Sequence, residues 1–124
     1  MIYLEGFDTS LAEGVMLLTP FVADAQDELT VNFVKKYNEL YNETPNQFAA
    51  DGYDCIYALV KAAQIAGVKS DDAAEDICDA MIAAMQELQI TGLTGSMVWS
   101  ANGEVDKVPT AMVIRNGVYV GLDN

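Results

Sequence analysis

The strongest constraint on this fold is the segment TPNQFAADGYDCIYALVKAAQIAG, residues 44–67. Pro45 stops any helix from running through from the N-terminal side, because the residue before proline is driven out of the α region. Gly67 offers a left-handed stop at the far end. Between them, with Asn46 as a cap, the spacing predicts a helix from about residue 47 to 66. Phe48, Tyr53, Ile56, Tyr57, Val60 and Ala63 form a broad apolar band, and alanines at 49, 50, 58, 62, 63 and 66 allow close packing. The opening turns are odd for a helix that only fills a core, since Asp51 and Asp54 flank Gly52-Tyr53 there. Gly52 weakens a helix by up to about 1 kcal/mol relative to alanine, which predicts the close approach of another element.

Two further helices are predicted around this one. In ADAQDELTVNFVKKYNELYNETP, residues 23–45, Asp24 can cap and Asp27 and Glu28 complement the dipole. Leu29, Phe33, Tyr37 and Leu40 or Tyr41 share its apolar face, and Thr44-Pro45 ends it. In SDDAAEDICDAMIAAMQEL, residues 70–88, Asp72 and Glu75 have capping-box spacing, and Ile77, Met81, Met85 and Leu88 face one way.

The flanks read as strands. GVMLLTPF, residues 14–21, carries the apolar run Val15–Leu18, and an uninterrupted run predicts a strand covered on both faces. FDTSLAEG before it reads as a loop or a single helical turn. After the third helix the period changes to two: a strand at 96–100, a turn at Asn102-Gly103, then Asn116-Gly117 between alternating apolar residues, a strong hairpin signal. The class is therefore α/β, a strand followed by three helices and C-terminal β-hairpins. Such a sheet is thin for three helices. The simplest explanation is a fragment of something larger; the other is an oligomer that buries its leftover faces.

Charge and cysteine content narrow the function. The net charge of −13, from 19 acidic and 6 basic residues, makes nucleic acid and anionic membrane surfaces poor partners. No apolar run approaches the roughly 20 residues needed to span a bilayer, and the N-terminus does not read as a signal peptide. There is no histidine and no CxxC, which excludes an ordinary zinc site and a Ser-His-Asp or Cys-His catalytic set. Cys55 and Cys78 both fall in apolar helical patterns and read as buried free thiols, with a disulfide between neighbouring helices as the other reading.

Each remaining cluster has a plain structural reading beside its functional one. The acidic runs at 24–28 and 71–76 lack a calcium-loop layout and read as solvated helix starts. Glu5, Asp8, Asp51 and Asp54 could pair for glycoside chemistry, but so acidic a chain makes such pairs by chance. TGLTG at 91–95 is spaced like no phosphate cradle and reads as the turn into the sheet. Phe48, at a helix N-terminus that favours a carboxylate, is either an aromatic wall for an apolar ligand or a core residue, and periodicity alone places it in the core. Asp51 either binds a ligand ammonium or faces water.

Taken in order, LAEGVMLLTPF, FVKKYNELYNETPNQFAADGYDCIYALVKAAQIAG and GLTGSMVWSANGEVDKVPTAMVIRNG resemble the C-terminal third of branched-chain amino-acid ABC transporter substrate-binding proteins, with Trp99 where that family commonly has phenylalanine. The resemblance covers nearly the whole chain. It implies a partial lobe of the periplasmic binding protein type I fold, in which two α/β lobes close over a small ligand. By this analogy residues 1–21 are an inter-lobe strand region, 22–90 the helical part of the N-terminal lobe, and 91–124 hairpins of the hinge and C-terminal lobe, the missing strands lying upstream. Phe48 matches an aromatic that lines the ligand's apolar side chain, with Ala49 and Asp51 beside it, and Glu5-Gly6 resembles the acid-glycine pair that meets the α-ammonium. The implied ligand is a branched-chain or related amino acid, the implied partner a membrane permease, and the implied location extracytoplasmic, periplasmic or lipid-anchored, with the signal segment absent from this chain. No cofactor or catalysis is implied. A ligand-sensing domain of the same fold, a small acidic enzyme using Asp51 and Asp54, and a self-associating structural domain are the rivals.

Overall fold

Alanines at four-residue spacing decide how the long central helix packs. The computed structural model describes residues 5–122, so positions 1–4 of the expected inter-lobe strand region, residues 1–21, and the last two residues of the expected hairpins lie outside the described residues. Its elements are β1 (Met16–Thr19), α1 (Glu28–Tyr41), α2 (Gln47–Ala66), α3 (Ala74–Glu87), β2 (Gln89–Gly92), β3 (Gly95–Val98), β4 (Thr110–Arg115) and β5 (Val118–Gly121). They divide into two compact units: Met1–Phe48 with Val108–Asn124, and Ala49–Lys107.

The first unit is built on an antiparallel sheet ordered β1-β4-β5. Met16 lies opposite Val113 and Thr19 opposite Thr110, while Arg115 pairs with Val118 across the hairpin. Asn116 and Gly117 take left-handed φ values of 52° and 74°, the conformation that a two-residue turn between twisted strands requires, so the Asn-Gly hairpin forms as read. Ile114 is fully buried against Ala12, Phe7 and Tyr119. FDTSLAEG folds as a single 3-10 turn, Thr9–Ala12, whose cap Asp8 accepts from the Ser10 amide and hydroxyl. The cover expected over both faces of β1 is absent among the described residues. Met16 and Leu18 stay 67% and 73% exposed, because these alternate side chains point to one face of the sheet and no described residue covers them.

α1 starts later than expected. Its N-cap is Asp27, which accepts from the Thr30 amide at 2.9 Å, whereas Asp24 is drawn away to the Gly121 amide at 3.2 Å. The helix ends at Asn42, left-handed at φ 54°, before Thr44-Pro45 is reached. Phe21, Phe33, Tyr37 and Tyr41 pack in succession at centroid distances of 6.0, 5.8 and 4.6 Å, Phe21 edge-on to Phe33 and the others tilted.

In the second unit α2 closes as predicted: Gly67 is left-handed at φ 68° and the Val68 amide reaches back to the Ala63 carbonyl. Its buried stripe is Ala50, Asp54, Ala58 and Ala62, not the band of large residues, and Ile56, Tyr57 and Val60 are exposed. Ala58 and Ala62 pack with Ala84 and Leu88, flanked by Met81, Met85 and Trp99. The capping box of α3 does not form. Ala73 occupies the cap without a side-chain bond, and Asp72 instead accepts from the Lys69 amide at 2.7 Å. Cys55 and Cys78 are free and exposed, not buried, and Cys55 sits one position past Asp54, off the alanine stripe. β2, which the sequence did not announce, follows α3 directly and pairs with β3 from Gln89–Val98 to Gly92–Gly95. The expected strand at 96–100 is shorter: β3 ends at Val98, and Trp99 makes one bridge to Val105 around the turn at Gly103, which is left-handed at φ 80°.

Candidate functional site

The first turns of α2 carry three of the four residues singled out from sequence. Phe48 is 73% exposed, so the core placement that periodicity favours is overturned: the buried stripe begins at Ala50, and Phe48 lies off it. Ala49 is half-buried. Asp51, one turn from Phe48 and on the same face, is partly exposed and accepts from the Lys107 ammonium at 3.1 Å.

Behind Asp51 stands a buried polar cluster. Asp54, 3% exposed, accepts from the Leu93 amide at 2.9 Å, the Thr94 amide at 2.8 Å and the Thr94 hydroxyl at 2.6 Å. The Thr94 hydroxyl in turn accepts from Lys107 Nζ at 2.6 Å. A hydroxyl has one proton, and here Asp54 takes it, so the oxygen lone pairs are left to face the ammonium. The carboxylate thus clasps the β2–β3 turn onto α2. Gly92 makes this approach feasible, since a Cβ there would fall on the Asp54 carboxylate, 2.7 Å from Oδ2. The close approach predicted at Gly52 does not occur, and space is open around it. Sequence reading missed Lys107, Thr94 and Gly92 as members of this cluster. The one signal was the pair of glycines in TGLTG, legible as a turn but not as a partner for Asp54.

On the next turn, Tyr53 and Tyr57 stack at 4.6 Å. The hydrogen bond with Tyr57, aided by burial and by the nearby charges of Tyr57 and Asp54, pushes the Tyr53 phenol up to about 12. Glu5 is exposed in the turn that precedes the 3-10 segment, beside left-handed Gly6. Glu5 and Phe48 fall in the first unit and Ala49 and Asp51 in the second. A hollow of about 340 Å³ bounded by Leu59, Met81, Met85 and Trp99 also opens in the second unit, and none of the four expected site residues lines it.

This arrangement of elements is found in solved structures. A protein from Rhodospirillum rubrum assigned to branched-chain amino acid ABC transport is 30% identical over 94% of this chain and 35% of its own, with a TM-score of 0.65. A leucine-binding protein from Thermotoga maritima is 26% identical over 89% of this chain and 30% of its own, with a TM-score of 0.68. An ABC transporter solute-binding protein from R. palustris in complex with benzoate shares the fold, with a TM-score of 0.74 and 22% identity over 90% of this chain and 29% of its own. No curated protein matched the chain. The profile of the periplasmic binding protein family matches residues 3–114, and the chain belongs to that family. It spans about a third of the length of the solved relatives. Among the described residues no helix is long and apolar enough to cross a membrane.

Proposed function

We propose that the chain is part of the extracytoplasmic solute-binding component of an ABC transporter, a non-catalytic protein that takes up a branched-chain or related amino acid and delivers it to a membrane permease. The observation that carries this reading is the family match along residues 3–114, reinforced by relatives whose described roles are branched-chain amino acid transport and leucine binding. Capture would proceed by closure of two lobes, ligand contacts to both shifting the population towards the closed state. We assign portions of this chain to both lobes: residues 1–21 to the inter-lobe strand region, 22–90 to the helical part of one lobe, and 91–124 to the hinge and the other.

Phe48 is the principal ligand residue in this reading. A large exposed aromatic at a helix N-terminus offers an apolar wall beside amides that favour a carboxylate. Ala49 and Asp51 border the ligand in this reading, Asp51 with its charge paired to Lys107, and Glu5 supplies negative charge for an ammonium. The isolated chain, lacking the rest of the cleft, would bind weakly and would self-associate through its exposed apolar faces.

Calorimetric titration of the intact gene product with leucine, isoleucine, valine and benzoate tests the assignment. One of the aliphatic amino acids should bind with micromolar or better affinity. Phe48→Ala should weaken it by roughly tenfold or more, the loss expected when one aromatic wall is removed. Absence of binding by all three amino acids would overturn the assignment.

A further inference from the structure

We infer that Lys107 and Asp51 are positioning residues: they hold together the two points at which the chain enters and leaves its second unit, and so fix the start of α2. That unit is one continuous segment, Ala49–Lys107. Asp51 lies two residues after the chain comes in, and Lys107 is the residue at which it goes out. Their side chains meet at 3.1 Å.

An exposed ion pair holds little by itself. What distinguishes this one is the second contact of the same ammonium, 2.6 Å from the hydroxyl of Thr94, which is 1% exposed. That hydroxyl has already committed its proton to buried Asp54, so its oxygen presents only lone pairs and the ammonium is the donor it requires. Lys107 is therefore anchored at once to α2, through Asp51, and to the β2–β3 turn, which Asp54 ties to α2 one turn further on. The inference deepens the binding reading, because Ala49 and Asp51 are residues that reading places beside the ligand.

Hydrogen–deuterium exchange on the intact protein without ligand tests it, and gives an answer whether or not any amino acid binds. Lys107→Met keeps the aliphatic stem and removes the ammonium. It should speed exchange of the amides of residues 51–54 and of Leu93 and Thr94 by roughly tenfold, the scale of one lost charge-assisted hydrogen bond. Exchange in β4 and β5 should not change, and Lys107→Arg should restore most of the protection. Asp51→Asn, which leaves the Thr94 contact in place, should give a smaller effect and serves if Lys107→Met does not fold. Unchanged exchange at these amides, or a rise spread evenly through α3 and both units, would overturn the inference, the second because it reports general loosening.

Discussion

Burying a carboxylate as deeply as Asp54 is costly unless the protein replaces its hydration, and three donors from the β2–β3 turn do so here. The same contact dictates glycine at position 92, where any side chain would occupy the space of the carboxylate. Because the carboxylate is pinned, it cannot swing aside as an exposed side chain would. Gly92→Ala should therefore destabilise the protein by about 2–4 kcal/mol in urea unfolding, through crowding and the loss of buried hydrogen bonds. In an Asp54→Ala background the same change should cost much less, since the clash is gone. Additive costs in that double-mutant cycle would show that the two residues do not share one energetic unit.

Helix and hairpin ends obey local chemistry, and that makes them separately testable. Burial raises the Asp27 carboxyl, but its bonds with the Thr30 side chain and amide outweigh this and hold it below the usual carboxylate value of 3.8. A pKa lowered on folding contributes stability above the unfolded value and loses it as pH falls through the folded one. Protection of the α1 amides should thus be constant near neutrality and decline below about pH 4. Asp27→Ala should remove about 1 kcal/mol at pH 7, as for other N-caps, and flatten that acid dependence. A pH profile identical in wild type and Asp27→Ala would count against this role for the cap.

At the scale of the whole molecule, apolar side chains outnumber the places to bury them. β1 turns Met16 and Leu18 outward, and α2 leaves Ile56, Tyr57, Leu59 and Val60 exposed beside its alanine stripe. Against their attraction stands mutual repulsion from a net charge of −13. The 124-residue chain alone should therefore self-associate at micromolar concentrations, and more so as salt screens the charge over a distance of about 10 Å at 0.1 M. Light scattering across a salt series should show a rising mass. A monodisperse monomer at every salt concentration would mean that these faces are not adhesive.

How much of this was legible beforehand depended on the range of the interaction concerned. The bounds of α2, its left-handed Gly67, the Asn116-Gly117 hairpin and the turn at Gly103 follow from residues within a few positions of each other, and all could be read directly. Capping was only half legible: several acids precede α1 and α3, and whether one of them bonds to the helix depends on where they are drawn, as Asp24 is to Gly121 and Asp72 to Lys69, which leaves α1 to Asp27 and α3 with no side-chain cap. Burial was misread for Phe48, for both cysteines and for the large residues of α2, because helical spacing reports an apolar face without saying whether a partner fills it.

By itself, then, the sequence determined the order of every element but β2, the main turns and the family to which they belong, since those depend on local backbone preferences and on the succession of short motifs. Only the tertiary structure decided that alanines, not aromatics, would form the buried stripe of α2, and that Asp54, Thr94, Lys107 and Asp51 would join into one network. Those residues lie up to 56 positions apart, and a contact of that span is set by how the elements pack, which no local pattern encodes.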